Sequence, residues 1–195
     1  MREISPAIGM SADDFLATRP CKVQILVKGI REEKLSGSRP KPSATLIDKS
    51  EILTPEIRRS LLDAIAELVD ENLCGRSEMC LQFSTLLHRA LTEFGVPSRI
   101  ALGTAMYFDR GKEIYRWEHA WVRIQSEVVD GNTDMLYENL QAPDSIQARP
   151  FWGEIKHIPV GRRLREANGV SPRYDSDVDK VWWPELRQTI QRFRR

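Results

Sequence analysis

The amino-acid sequence predicts an α+β fold, with helices first and then a run of strands. Three observations predict it. Apolar residues recur at helical spacing between Ile57 and Phe94. From Arg99 to Asp130 the chain reads instead as short strand-forming runs. The turns between those runs, at Asp109-Arg110-Gly111 and Gln125-Ser126, are too short for a crossover. Strands joined so tightly pair antiparallel, and helices followed by such strands make the α+β class.

The first element is a short helix capped by Ser11-Ala12-Asp13-Asp14 and ending near Ala17. Val23, Ile25 and Val27 alternate with Lys22 and Gln24, which predicts a strand over Cys21 to Val27. Glu32 to Ser43 carries charge, Gly37, Pro40 and Pro42 and reads as a loop. Thr54-Pro55-Glu56 is a helix start: a capping hydroxyl, a proline in the first turn, then an acid at the positive end of the dipole. Ile57, Leu61, Ile65 and Leu68 carry that helix forward, and Gly75 should stop it.

Ser77 offers a cap for the next helix, with Cys80 in its first turn. Phe83, Leu87, Ala90 and Phe94 form its apolar stripe, Gln82, Thr85, Arg89 and Thr92 its polar side. Gly95-Val96-Pro97 ends it. Strands follow at Arg99 to Phe108, Glu113 to Tyr115, Glu118 to Ile124 and Glu127 to Asp130. Beyond Asn139 the pattern is less regular. It suggests a strand around His157, a short helix over Arg162 to Ala167 and a terminal helix from Pro184 to Phe193.

With 195 residues the chain can bury a real core, and one domain over 1–195 is expected. Within it, 54–140 forms the core; 1–53 and 141–195 are extensions packed on it. There are 29 basic and 28 acidic residues, a balance that argues against nucleic acid or an anionic membrane as the main partner. The basic clusters at Arg162-Arg163-Arg165 and Arg192-Arg194-Arg195 read as solvated helix ends. No apolar run is long enough to span a bilayer, and Met1 to Gly9 does not read as a secretory signal. The three cysteines, Cys21, Cys74 and Cys80, do not make a disulfide framework. A cytoplasmic protein with reduced thiols is the expectation.

Cys80, His119 and Asp130 are the candidate catalytic residues. A helix N-terminus stabilises a thiolate with its dipole and unpaired N–H groups, and those groups can also receive an oxyanion. In the His119 strand Ala120, Val122 and Ile124 point one way, His119, Trp121 and Arg123 the other. If Gln125-Ser126 is a two-residue hairpin loop, Ile124 faces Glu127 and Trp121 faces Asp130. Asp130 then lies one diagonal step from His119, on the same face, where it could hold the imidazole tautomer. A slip of one residue would send it to the other face; Asn132 and Asp134 are the fallback orienters on the same face as Asp130, if the strand continues that far. If the three residues meet, they can form and resolve an acyl-thioester.

Four segments resemble a known family. They are Cys80-Leu81-Gln82-Phe83-Ser84-Thr85-Leu86-Leu87, Phe94-Gly95-Val96-Pro97-Ser98-Arg99, Glu118-His119-Ala120-Trp121-Val122 and Val129-Asp130-Gly131-Asn132-Thr133. Together, over residues 77–134, they resemble the core of transglutaminase-like cysteine enzymes. The resemblance implies a papain-like fold with a central cysteine-bearing helix packed on an antiparallel sheet. It also implies Cys80 as nucleophile, His119 as base and Asp130 as orienter. The implied activity is acyl transfer at an amide of a peptide or protein, by hydrolysis or amine transfer; with no phosphate-binding glycine loop or dinucleotide fingerprint in the sequence, no cofactor is expected.

Two other readings compete. One is a non-catalytic binding domain on the same scaffold, using the Trp182-Trp183 pair, although such a pair more often packs a tail onto its core. The other is a metal site from Cys74, Cys80, His88 and His119, whose spacing is not that of a zinc site. Asp175, Asp177 and Asp179 lack the glycine and terminal glutamate of a calcium loop and read as a solvated turn.

Overall fold

Thr54 accepts a hydrogen bond from the Ile57 N–H and starts helix α4, Pro55–Val69. Leu61, Leu62, Ile65 and Val69 are fully buried along it, as the helical spacing requires. Helix α5, Cys80–Glu93, buries Phe83, Leu86, Leu87, Ala90 and Leu91 against the same core. This is a computed structural model, and it describes residues 12–70, 75–172 and 175–193. The end expected for α4 near Gly75 falls partly outside them, as do Ser11 and Cys74; the helix ends at Val69 with Asp70 as its cap.

The chain forms two compact units, 1–39 and 40–195. In the first, helix α1 spans Ala12–Ala17 and helix α2 spans Cys21–Ser36. The strand expected at 21–27 and the first part of the loop expected over 32–43 are therefore helix. Five alternating residues fit either period. The longer window decides, because Val27 and Ile30 are buried while Ile25 is exposed. Gly37, at φ 70°, closes α2 with its N–H on the Lys34 carbonyl, and the Ser38 N–H bonds Glu33.

The second unit opens with a single helical turn, α3, Pro42–Thr45. It holds a mixed six-stranded sheet in the order β1-β5-β4-β3-β2-β6. The strands are β1 Ile47–Lys49, β2 Arg99–Asp109, β3 Lys112–Ile124, β4 Glu127–Asp130, β5 Phe151–Glu154 and β6 Arg162–Glu166. The central pairs are antiparallel, as short turns require, but β1 and β5 run parallel. The two strands expected between 113 and 124 are one continuous strand, β3. Residues outside 54–140 supply β1, β5 and β6, so half the sheet comes from the segments expected to be extensions packed on the core.

Residues 162–166 form a strand, not the helix expected there. Arg162 is buried and Leu164 half-buried, while Arg163 and Arg165 are exposed, a two-residue alternation. Leu164 pairs with Ala105 and Arg162 with Tyr107. His157 lies in a 3-10 turn, Ile155–His157, instead of a strand. The terminal helix is α6, Trp183–Phe193, entered through a π-helical turn at Val178–Trp182. Trp182 is buried in the core with Leu186 and Ile190, and Trp183 packs against it from the edge.

Helices α4, α5 and α6 cover one sheet face, meeting Val122, Ile124, Val129 and Trp152. On the other face Ala101, Trp121, Val128 and Phe151 form a second cluster, and Ala105, Tyr107 and Leu136 a third. Arg58 of α4 ties the first layer to β1 and its following loop. Its guanidinium pairs with Asp48 at 2.8 Å and donates to the Ile52 and Leu53 carbonyls. Gly131 lets β4 leave the sheet: a Cβ there would sit 2.6 Å from Phe83 and 2.7 Å from Leu62.

Candidate active site

The hairpin sets the first relation in the site. Ile124 pairs with Glu127 and Val122 with Val129, the register expected for a two-residue Gln125-Ser126 loop, and Gln125 takes the left-handed backbone (φ 53°) the turn needs. One residue further on, Asp130 turns to the face that carries His119. Its Oδ1 lies 2.8 Å from His119 Nε2. Both side chains are at most 1% exposed.

His119 is held along its own strand. The Trp117 ring stacks on the imidazole with centroids 4.7 Å apart, and Trp121 lies on the other side at 6.1 Å. These are the i−2 and i+2 neighbours, so strand alternation alone puts them there. Imidazole Nδ1 is buried and has no hydrogen-bond partner among the described residues. Beyond Asp130, Cys80 is the side chain that helps raise the imidazole pKa. Cys80 itself is half-buried at the first position of α5.

The expected Ser77 cap is absent. Met79 occupies the N-cap position with no side-chain bond, and Ser77 is buried. The segment before Cys80 is held by Arg76 instead. Its N–H donates to Glu138 Oε2 at 2.7 Å, and its carbonyl accepts from Asn132 Nδ2 at 2.7 Å. Its guanidinium pairs with Asp134 at 2.9 Å and reaches the Pro40 carbonyl at 3.4 Å. Asn132 and Asp134, the fallback orienters, thus hold the cysteine loop, while Asp130 holds the imidazole.

Arg162 completes the buried row. Its NH1 group donates to Asp130 Oδ2 at 3.2 Å and to the Arg149 carbonyl at 3.0 Å. Its position on β6, two strands from His119, is invisible to a reading that makes the segment helical. An alternating Arg-x-Leu pattern was the available signal. Arg76 carried no signal beyond its place four residues before Cys80.

Burial opposes every charge here, so the pairing decides the titration. Burial would lower the His119 pKa, but the Asp130 charge and hydrogen bond, followed by Cys80, raise it above the usual imidazole range. Burial would raise the Asp130 carboxyl; the charges of His119 and Arg162 and the His119 hydrogen bond hold it below the usual range. Tyr107, bonded to Thr133 at 2.7 Å, is pushed up to about 12, by burial first and then by the Asp130 charge.

The signs give a pH dependence. The folded imidazole has the raised pKa, so its stabilisation is complete below the unfolded value of about 6.5 and disappears as pH rises through the folded value. The Asp130 contribution is present above its unfolded value of about 3.9 and is lost as pH falls through the depressed one. Urea denaturation between pH 6.5 and 9 should show stability falling with pH more steeply in the wild type than in His119→Gln. Parallel slopes would mean that His119 is not held as a cation.

Among the described residues, which do not include Cys74, no group of three or more His, Cys, Asp or Glu side chains is arranged to hold a metal ion. His88, one of the candidate ligands, bonds Ser98 at 2.9 Å. A cavity of about 450 Å³ lies beyond Arg162, lined among others by Ile47, Tyr107, Ile146 and Arg149; neither Cys80 nor His119 lines it. Among the described residues no helix is long and apolar enough to cross a membrane.

No family model matches the sequence, and no curated protein matches it. Among solved structures, the crystal structure of a genomics target is similar in fold. It has a TM-score of 0.55 and 13% identity, over 76% of this chain and 83% of that one. At that identity the likeness concerns the fold alone: an α+β arrangement with a mixed sheet.

Proposed function

We propose that this protein is a cysteine-dependent acyl-transfer enzyme of the transglutaminase-like, papain-like kind, acting on an amide of a peptide or protein. The observation that carries the reading is the buried His119–Asp130 pair, whose second imidazole nitrogen has no partner among the described residues, with Cys80, at a helix start, acting on the same imidazole. A solvated structural histidine would not need two tryptophans, a carboxylate and a buried arginine around it.

In this mechanism the Cys80 thiolate attacks the amide carbonyl carbon. Unpaired N–H groups of the first α5 turn receive the oxyanion. The C–N bond breaks as the His119 imidazolium protonates the leaving nitrogen, leaving an acyl-thioester on Cys80. His119, now neutral, takes a proton from water as it attacks the thioester; the acid leaves and the thiolate–imidazolium pair is restored. An amine in place of water gives transfer. Hydrolysis is the favoured outcome, since an amine acceptor needs a dry site of its own. Asp130 keeps the imidazole oriented and supports its positive charge throughout.

The test is alkylation of Cys80 by iodoacetamide, resolved by site with mass spectrometry, with exposed Cys21 as the internal reference. At pH 6 to 7 Cys80 should react at least about tenfold faster than Cys21, and His119→Ala should abolish the difference. Equal rates at the two cysteines, or a Cys80 rate indifferent to His119, would leave a scaffold without thiol chemistry.

A further inference from the structure

Arg162 belongs to two places at once: it pairs with Asp130, and it lines the cavity of about 450 Å³. The residue is only 6% exposed. Its Nη1 group is committed, donating to Asp130 Oδ2 at 3.2 Å and to the Arg149 carbonyl at 3.0 Å. Its Nε and Nη2 groups are buried and have no hydrogen-bond partner among the described residues. The thiol mechanism gives them no task. Nε–H and the neighbouring Nη2–H sit on one edge of the planar guanidinium and point the same way. What lacks a partner is therefore a two-donor fork.

A buried donor fork calls for an acceptor, and two oxygens of one carboxylate fit it in parallel. Charge selects the same group. Asp130 divides a single negative charge between Arg162 and His119, the latter at 2.8 Å. One more negative charge is matched there, whereas a dianion would be repelled by Asp130. Arg149 and Asp109 also line the cavity; both are exposed, and their charges are opposite. Half-buried Ile47, Ile114 and Ile146 give the wall its apolar part. An apolar wall with a few convergent polar groups, at this volume, is the usual make-up of a small-molecule site.

We propose that this cavity binds a small carboxylic acid with an apolar body, its carboxylate on the Nε–Nη2 edge of Arg162 and its hydrocarbon against Ile47, Ile114 and Ile146. Neither Cys80 nor His119 lines the cavity, so the site is separate from the thiol chemistry and stands without it. Arg162 joins the two, because the guanidinium that receives the ligand also holds Asp130.

The test is isothermal titration calorimetry of the full chain with octanoate, and with octanamide and octyl phosphate as matched neutral and dianionic probes. Octanoate should bind at one site per chain, at least about tenfold more tightly than octanamide. Octyl phosphate should bind more weakly than octanoate. Arg162→Lys keeps a cation for Asp130 but replaces the fork with a point charge, so the octanoate-to-octanamide ratio should fall several-fold. Ala148→Leu adds bulk to the cavity wall, leaves the guanidinium untouched and should weaken octanoate and octanamide alike. It decides the matter even where Arg162→Lys fails to fold. No octanoate binding, a ratio near one in the wild type, or tighter binding of octyl phosphate overturns the carboxylate site. So does an octanoate affinity that Ala148→Leu leaves unchanged.

Discussion

Replacing Asp130 with asparagine is expected to cost about 3–5 kcal/mol of stability and to reduce Cys80 to the reactivity of an ordinary thiol. Asp130 is 1% exposed and lies between two cationic partners, His119 at 2.8 Å and Arg162 at 3.2 Å. The amide keeps the shape but removes the charge. Arg162 then remains buried with no counter-ion, and the uncompensated charge, more than the lost bond, sets the cost. Asparagine can still accept from the imidazole, yet it cannot support the imidazolium, so reactivity falls even in molecules that fold. Adding Arg162→Met should recover much of the stability and none of the reactivity. Urea denaturation and Cys80 alkylation read the two effects separately. A single Asp130→Asn variant within about 1 kcal/mol of wild type, with Cys80 unchanged, would mean that the row is a surface-like ion pair of little consequence.

Arg76→Met should be as destabilising, by about 3–5 kcal/mol, but for a different reason. Arg76 is 1% exposed, and its guanidinium faces Asp134, also largely buried. Methionine fills part of the space but removes the guanidinium that pairs with Asp134. The backbone clamp survives, because Asn132 and Glu138 bind the main chain of residue 76. The folded variant should therefore keep the His119-dependent reactivity of Cys80. Loss of that reactivity in fully folded protein would show that the guanidinium, not the main-chain clamp, sets the cysteine. Together the two substitutions separate the group that tunes the imidazole from the one that carries the loop.

How far the site could be read before the fold depends on sequence distance. His119 and Asp130 are eleven residues apart in one hairpin, and strand period plus turn length give their relation. Cys80 at a helix start follows from local helix signals. Arg162 could not be found this way. It lies thirty-two residues from Asp130, and its strand of only five residues contains three arginines, which resemble a solvated surface until pairing with β2 buries one of them. The false strand at 21–27 has the same root: five residues fit both periods, and the burial that separates them comes from the packed chain.

The sequence by itself determined the α+β class, helices α4, α5 and α6 and the two strands of the β3–β4 hairpin, and it put His119 and Asp130 on one face on the condition of a two-residue turn. All of these rest on contacts within a few residues or across one tight turn. Tertiary structure decided the sheet order, the parallel β1–β5 pair, the Arg162 counter-charge and the Arg76 clamp. Each of these joins segments far apart in the chain, where charge and burial are settled by what packs alongside and local pattern carries no signal.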